Sequence, residues 1–121
     1  MPQKVLINLA TGLEDSERVT VAFLVARAAA ERGHDVAMWL TKEAVRLAVP
    51  GHATGVACDG CPPLPSLFDE FARNGGALLV CPICADARKL EASGFVDHAR
   101  VAGATPMWEW IGDEPATVFS Y

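Results

Sequence analysis

Basic residues are scarce in this chain of 121 residues. Ten Lys and Arg stand against fifteen Asp and Glu, for a formal net charge of −5. Non-specific nucleic-acid binding rests on clustered cations that neutralise phosphates, and docking on anionic membrane surfaces makes the same demand, so the balance argues against both. No apolar run approaches the roughly 18 residues of a membrane span. Met1-Pro2-Gln3-Lys4 leads into an apolar stretch of strand length, without the hydrophobic region and cleavage site of a signal peptide, and the expectation is a cytoplasmic protein. A Gly-x-Gly-x-x-Gly sequence and a phosphate-loop lysine are both missing, which leaves a nucleotide site without support. There is no internal repeat, no low-complexity segment and no domain linker, since the proline-rich stretch at 62–65 is too short to separate two units.

What is present is the composition of a single globular domain, with 51% apolar and 21% charged residues. Lys4 to Ala10 is short and rich in apolar residues, and Thr11-Gly12 follows it, which reads as a buried strand entering a loop. Acids crowd residues 14–17, and a helix is expected from Arg18 to Arg32, closed by Gly33. Its Ala-rich interior is apolar on nearly every face, as in a helix covered on more than one side, and the second cover can be another subunit. His34 to Leu40 reads as a second strand. Thr41 is placed to cap a short helix from Lys42 to Leu47, which Pro50-Gly51 would stop. Residues 52–63 read as an irregular loop. A helix is expected from Ser66 to Arg73, a fully apolar strand over Ala77–Val80, and a helix from Ala85 to about Ala92. Thr105-Pro106 fits an N-cap followed by proline, with a helix to Ile111 or Gly112, and a final strand follows from Ala116. The alternation implies an α/β fold in one domain: a mostly parallel sheet of about five strands with helices on both faces.

Chemistry in open parallel sheets gathers at the carboxyl ends of strands. The Thr11–Ser16 loop and Cys81 with Cys84 fall there, and the Cys58–Cys61 loop is a third candidate. Cys81 ends a buried strand and precedes a helix start, where unpaired amides favour a thiolate. Arg88 lies one helical turn after Cys84, with a guanidinium placed to approach either sulfur, while Asp86 opposes it and Pro82 offers no amide. The alternative is that both cysteines are small buried apolar residues. The four cysteines read Cys-x2-Cys-x19-Cys-x2-Cys, which falls within the zinc-site range of about 15–20 intervening residues. A zinc ion held by Cys58, Cys61, Cys81 and Cys84 is therefore a second reading, although an α/β order of this kind needs no metal to fold. His34, His52 and His98 have no ligand spacing that singles them out. Trp39, Met107, Trp108 and Trp110 read as core or subunit interface.

Several stretches resemble the DsrE/DsrF-like family of small sulfur-relay proteins. Lys4–Leu9 with Thr11-Gly12 and Glu14-Asp15 is similar to its opening strand and loop, and Ala30 to Val36 to its helix-to-strand join. Gly76 to Arg88, containing Val80-Cys81-Pro82-Ile83-Cys84, looks like its signature, and Ala116 to Tyr121 like its closing strand. The resemblance implies flavodoxin-like or Rossmann-like layering and a homo-oligomer, a trimer or hexamer. It also implies a persulfide on Cys81, passed to or from a sulfur-donor or acceptor protein, as in a sulfurtransferase or sulfur-carrier subunit. Cys84 is an extra cysteine shared with some members, and Cys58–Cys61 lies outside the signature. The same Cys81–Cys84 pair is equally suited to thiol–disulfide exchange or peroxide reduction. Sulfur carrier, thiol redox protein and zinc-binding module thus stand as three functional classes.

Overall fold

The computed structural model describes residues 2–56 and 59–121. Five strands form one sheet: β1 (Lys4–Leu9), β2 (Asp35–Leu40), β3 (Ala77–Val80), β4 (Ala99–Val101) and β5 (Ala116–Ser120). All pair in parallel, in the order β4-β3-β2-β1-β5. The helices are α1 (Ser16–Glu31), α2 (Leu64–Arg73), α3 (Pro82–Ala87) and α4 (Ala104–Ile111). Among the described residues no helix is long and apolar enough to cross a membrane.

The strand order fixes where the helices go. From β1 to β4 every crossover steps the same way along the sheet, so right-handed connections put α1, α2 and α3 on one face. The connection from β4 returns past the whole sheet to β5, which sends α4 to the other face. The packing agrees. Val5, Ile7, Leu9, Val36, Met38, Leu40, Leu78 and Val80 alternate onto the first face with Phe23, Phe71 and Ala85 of the three helices. Leu6, Ala37 and Leu79 point to the second face, against Met107, Trp110 and Ile111 of α4. Helices therefore lie on both faces, as expected, but three to one.

Aromatic rings lock the first layer. Phe23 of α1 meets Phe68 and Phe71 of α2 at centroid distances of 5.6 and 6.0 Å. Arg27 of α1 reaches across to Glu70 of α2 at 3.1 Å rather than serving only the end of its own helix. The thinner second layer is tied by polar contacts. Trp39 Nε1 donates to the Ala102 carbonyl at 3.0 Å, and Lys4 Nζ donates to the carbonyls of Trp110 and Ile111 at the carboxyl end of α4. A cation there satisfies orphan carbonyls and complements the helix dipole.

The structure corrects several local expectations. The helix expected from Ala85 to about Ala92 spans Pro82–Ala87 instead. Proline stands at its first turn, where no amide bond is lost. The stretch from Lys42 forms a 3-10 turn, Lys42–Ala48, and the Thr41 side chain makes no capping bond. Part of the 52–63 segment is also a 3-10 turn, His52–Gly55. Gly103, not Thr105, precedes α4. Ser16 opens α1, and the Asp15 carboxylate accepts from the Arg18 amide at 3.1 Å.

Candidate functional site

The site is assembled by the carboxyl ends of β1, β2 and β3. The ladder continues past the strands themselves: Ala10 N donates to Tyr121 O, Thr41 N to Leu9 O and Cys81 N to Leu40 O, each at 3.0 Å. The residues that follow β1, β2 and β3 are thereby set side by side along one edge. The first loop packs onto the second so closely that a Cβ added at Gly12 would lie 2.7 Å from the Glu43 carbonyl oxygen. Any larger residue at position 12 would push the two loops apart. Glu14 Oε1 accepts from the Gly12 amide at 2.7 Å and fixes the first loop in turn.

Cys81 immediately follows β3, in extended conformation (φ −62°, ψ 119°), and α3 begins at the next residue. Cys81 and Cys84 are both free thiols, half-buried, and pack against the first-face core. The backbone amides of Cys84 and Ile83, at the start of α3, draw the Cys81 thiol toward its anion. Burial outweighs them. It pushes the Cys81 thiol above its ordinary value, and the neighbouring Cys84 sulfur pushes in the same direction. Cys81 therefore rests as a thiol at neutral pH, and its thiolate, once formed, is a strong nucleophile because nucleophilicity rises with basicity. Ile83, between the two cysteines, is 79% exposed, so the turn that carries both thiols faces solvent.

Arg88 lies beside this turn, held by partners other than sulfur. Its Nη1 donates to the Cys84 carbonyl at 3.2 Å and its Nε to Glu43 Oε1 at 2.7 Å. The backbone explains the first bond. The Arg88 amide pairs with Ala85 O, so the tightened last turn of α3 leaves the Cys84 carbonyl to the guanidinium. Glu43 Oε2 also accepts from Arg46 Nε at 2.9 Å, and the two arginines hold the Glu43 carboxyl below the usual carboxylate range. The His52 imidazole lies close enough to feel Arg46 and Glu43, and burial and Arg46 lower its pKa. Glu43 and Arg46 were not among the candidates read from the sequence. The signal that could have found them is their position just past β2, on the same sheet edge as Cys81.

The second cysteine pair is placed differently. Cys61 is disulfide-bonded, and Cys58 lies outside the described residues. Among the described residues, no group of three or more His, Cys, Asp and Glu side chains is arranged to hold a metal ion. His34 is at the opposite sheet edge, where its Nδ1 accepts from the Gln3 amide at 3.1 Å. His98 packs edge-on against Phe68, with ring centroids 4.9 Å apart.

Solved structures share the whole architecture. The ychN protein of E. coli superposes with a TM-score of 0.77 over 100% of both chains at 15% identity. A protein of unknown function from Methanobacterium thermoautotrophicum matches with a TM-score of 0.69, 9% identity and coverage of 96% of this chain and 98% of that one. One from Bacteroides thetaiotaomicron gives 0.63, 17%, 98% and 95%. At such identities the likeness concerns the fold. No curated protein matches the sequence. The family comparison is decisive for kinship: residues 3–119, almost the full chain, match the DsrE/DsrF-like family, and the chain belongs to it.

Proposed function

We propose that this protein carries sulfur as a persulfide on Cys81. The observation that carries the reading is a free thiol at the carboxyl end of a central strand, with α3 beginning at the next residue and a second free thiol three positions on, in the first turn of that helix. The Cys81 thiolate attacks the outer sulfur of a donor persulfide. A bond forms between Cys81 Sγ and that sulfur, the donor's S–S bond breaks, and the donor leaves as a thiolate with the electron pair. The Ile83 and Cys84 amides stabilise negative charge on Cys81 as it attacks and again when it departs to an acceptor.

Cys84 supplies the second reading, thiol–disulfide exchange, because it is a second free thiol on the same turn as Cys81. Attack of the Cys84 thiolate on Sγ of the Cys81 persulfide forms a Cys81–Cys84 disulfide and expels hydrosulfide. The outer sulfur is reduced, the two cysteines are oxidised, and an external dithiol must then restore them. Zinc held by four thiolates would require Cys61 as a thiolate, and its disulfide speaks for the thiol readings. Assembly as a homo-oligomer, trimeric or hexameric, is part of the same reading. Its supports are Val21 and Phe119 at 39% exposure on the α1 side and Trp108 at 65% on the α4 side.

The test is to load the reduced protein from a small-molecule persulfide and measure sulfide release. Wild type should release sulfide as the Cys81–Cys84 disulfide forms. Cys84→Ser should keep the added sulfur, and Cys81→Ser should take up none. Equal loading of Cys81→Ser would refute the assignment.

A further inference from the structure

The Glu43–Arg88 pair has no part in the sulfur chemistry as written, yet it sits on the turn that bears both thiols. Three observations converge on it. The Arg88 guanidinium is bound on two sides, by Glu43 Oε1 at 2.7 Å and by the Cys84 carbonyl at 3.2 Å. Glu43 is itself fixed, because its second oxygen is taken by Arg46 at 2.9 Å and its backbone is pressed by Gly12. The charges nearby do not substitute for it: Lys42, Asp86 and Lys89 are exposed, His52 is held toward its neutral form, and Glu14 is turned to the Gly12 amide.

We propose that Glu43 is a positioning residue for the thiol site, which sequesters the Arg88 guanidinium on the carbonyl side of the Cys84 turn and so withholds its charge from the sulfurs. The proposal rests on the sulfur-carrier reading for its purpose but not for its geometry. A guanidinium freed from Glu43 but still on this turn would favour the anionic form of its sulfurs, which lowers their nucleophilicity and exposes them to oxidation. Neutralised by Glu43, the same guanidinium keeps its structural bond to the turn without that effect. An anionic sulfur carried on Cys81 competes with the Glu43 carboxylate for the one cation, so the pair discriminates a loaded site from an empty one.

The experiment is the rate of Cys81 alkylation by iodoacetamide against pH, mapped by peptide mass spectrometry on protein that carries no added sulfur. Glu43→Gln should move the inflection down by about half a unit to one unit, since an opposite charge is unmasked in partly exposed surroundings. Glu43→Asp should stay near wild type. The double variant Glu43→Gln with Arg88→Gln should return the inflection to the wild-type value or above, which a merely structural role for Glu43 would not produce. An unchanged or raised inflection in Glu43→Gln, or a double variant that keeps the lowered one, overturns the proposal. If Glu43→Gln does not fold, Arg88→Gln alone must raise the inflection, because it leaves the Glu43 carboxylate with one cation fewer to neutralise it, and an unchanged or lowered inflection overturns the proposal. Since no sulfur is loaded, a protein that never accepts a persulfide would refute the carrier reading and leave this result standing.

Discussion

Arg88 Nε and Glu43 Oε1 meet at 2.7 Å across 45 positions of sequence, and through this bond the β2 loop grips the turn that carries Cys81 and Cys84. Removal of the guanidinium frees the Cys84 carbonyl as well as Glu43. Arg88→Ala should lower stability by about 0.5–1.5 kcal/mol, the ordinary net worth of a hydrogen bond to a partly exposed group. Arg88→Lys should recover only part, because ammonium cannot reproduce a planar fork aimed at two acceptors. Urea unfolding of the three proteins checks this, and full recovery by lysine would show that charge alone is at work.

Acid should weaken the fold through its half-buried imidazoles. His98 packs against Phe68 and Phe71, and burial lowers its pKa, while Asp69 and Asp97 pull the other way. His52 is lowered too. In the unfolded chain a histidine takes up its proton near about pH 6.5. The folded chain resists, so the unfolded state binds more protons below that value, and stability falls as pH drops from about 6.5 toward the folded pKa. His98→Gln should flatten the change in urea midpoint between pH 7.5 and 5.5. An unaltered slope would contradict the assignment.

The turn before β3 depends on an absent side chain. A Cβ at Gly76 would overlap the Phe71 ring, which is fully buried. Gly76→Ala should therefore destabilise by about 1–3 kcal/mol, the usual cost of overpacking a close-packed core. Combining it with Phe71→Leu should cost less than the sum of the two single changes, as denaturant titration can determine.

Light scattering should find more than one chain per particle at micromolar concentration. Val21 and Phe119 on one side and Trp108 on the other are apolar groups of the kind that subunit contacts bury. Trp108→Glu or Val21→Glu should reduce the particle mass, and a wild-type monomer would remove assembly from the functional reading.

Much of this fold is legible in sequence because strands buried on both faces must be continuously apolar. Val5 to Ile7, Val36 to Leu40 and Ala77 to Val80 announce themselves in that way, and alternation with helices implies the parallel sheet. Helix ends are legible where glycine supplies the left-handed residue, as at Gly33 (φ 84°) and Gly75 (φ 87°). The end of α3 is not, because Lys89 takes that conformation (φ 57°) while Leu90 N bonds Ala85 O and Lys89 N bonds Asp86 O. The capping geometry is formed without its usual residue, and good helix formers on either side hide the break. β4 is equally silent, since Ala99-Arg100-Val101 is too short to show a pattern.

The site was legible in the same uneven way. Cys81 and Cys84 are marked by their place after an apolar strand, whereas the partner of Arg88 is not, because Glu43 comes from a different crossover and only the sheet order brings it near.

The account turns on Cys81, and one measurement addresses it directly. Reduced Cys84→Ser protein, which cannot expel the added sulfur, is incubated with a small-molecule persulfide, the free thiols are blocked, and peptides are mapped by mass spectrometry. The account predicts the mass of one added sulfur atom on the peptide containing Cys81, located on that residue, removed by a dithiol reductant and missing from Cys81→Ser. Sulfur found only on Cys58 or Cys61, or on no residue while Cys81 remains a free thiol, would contradict it.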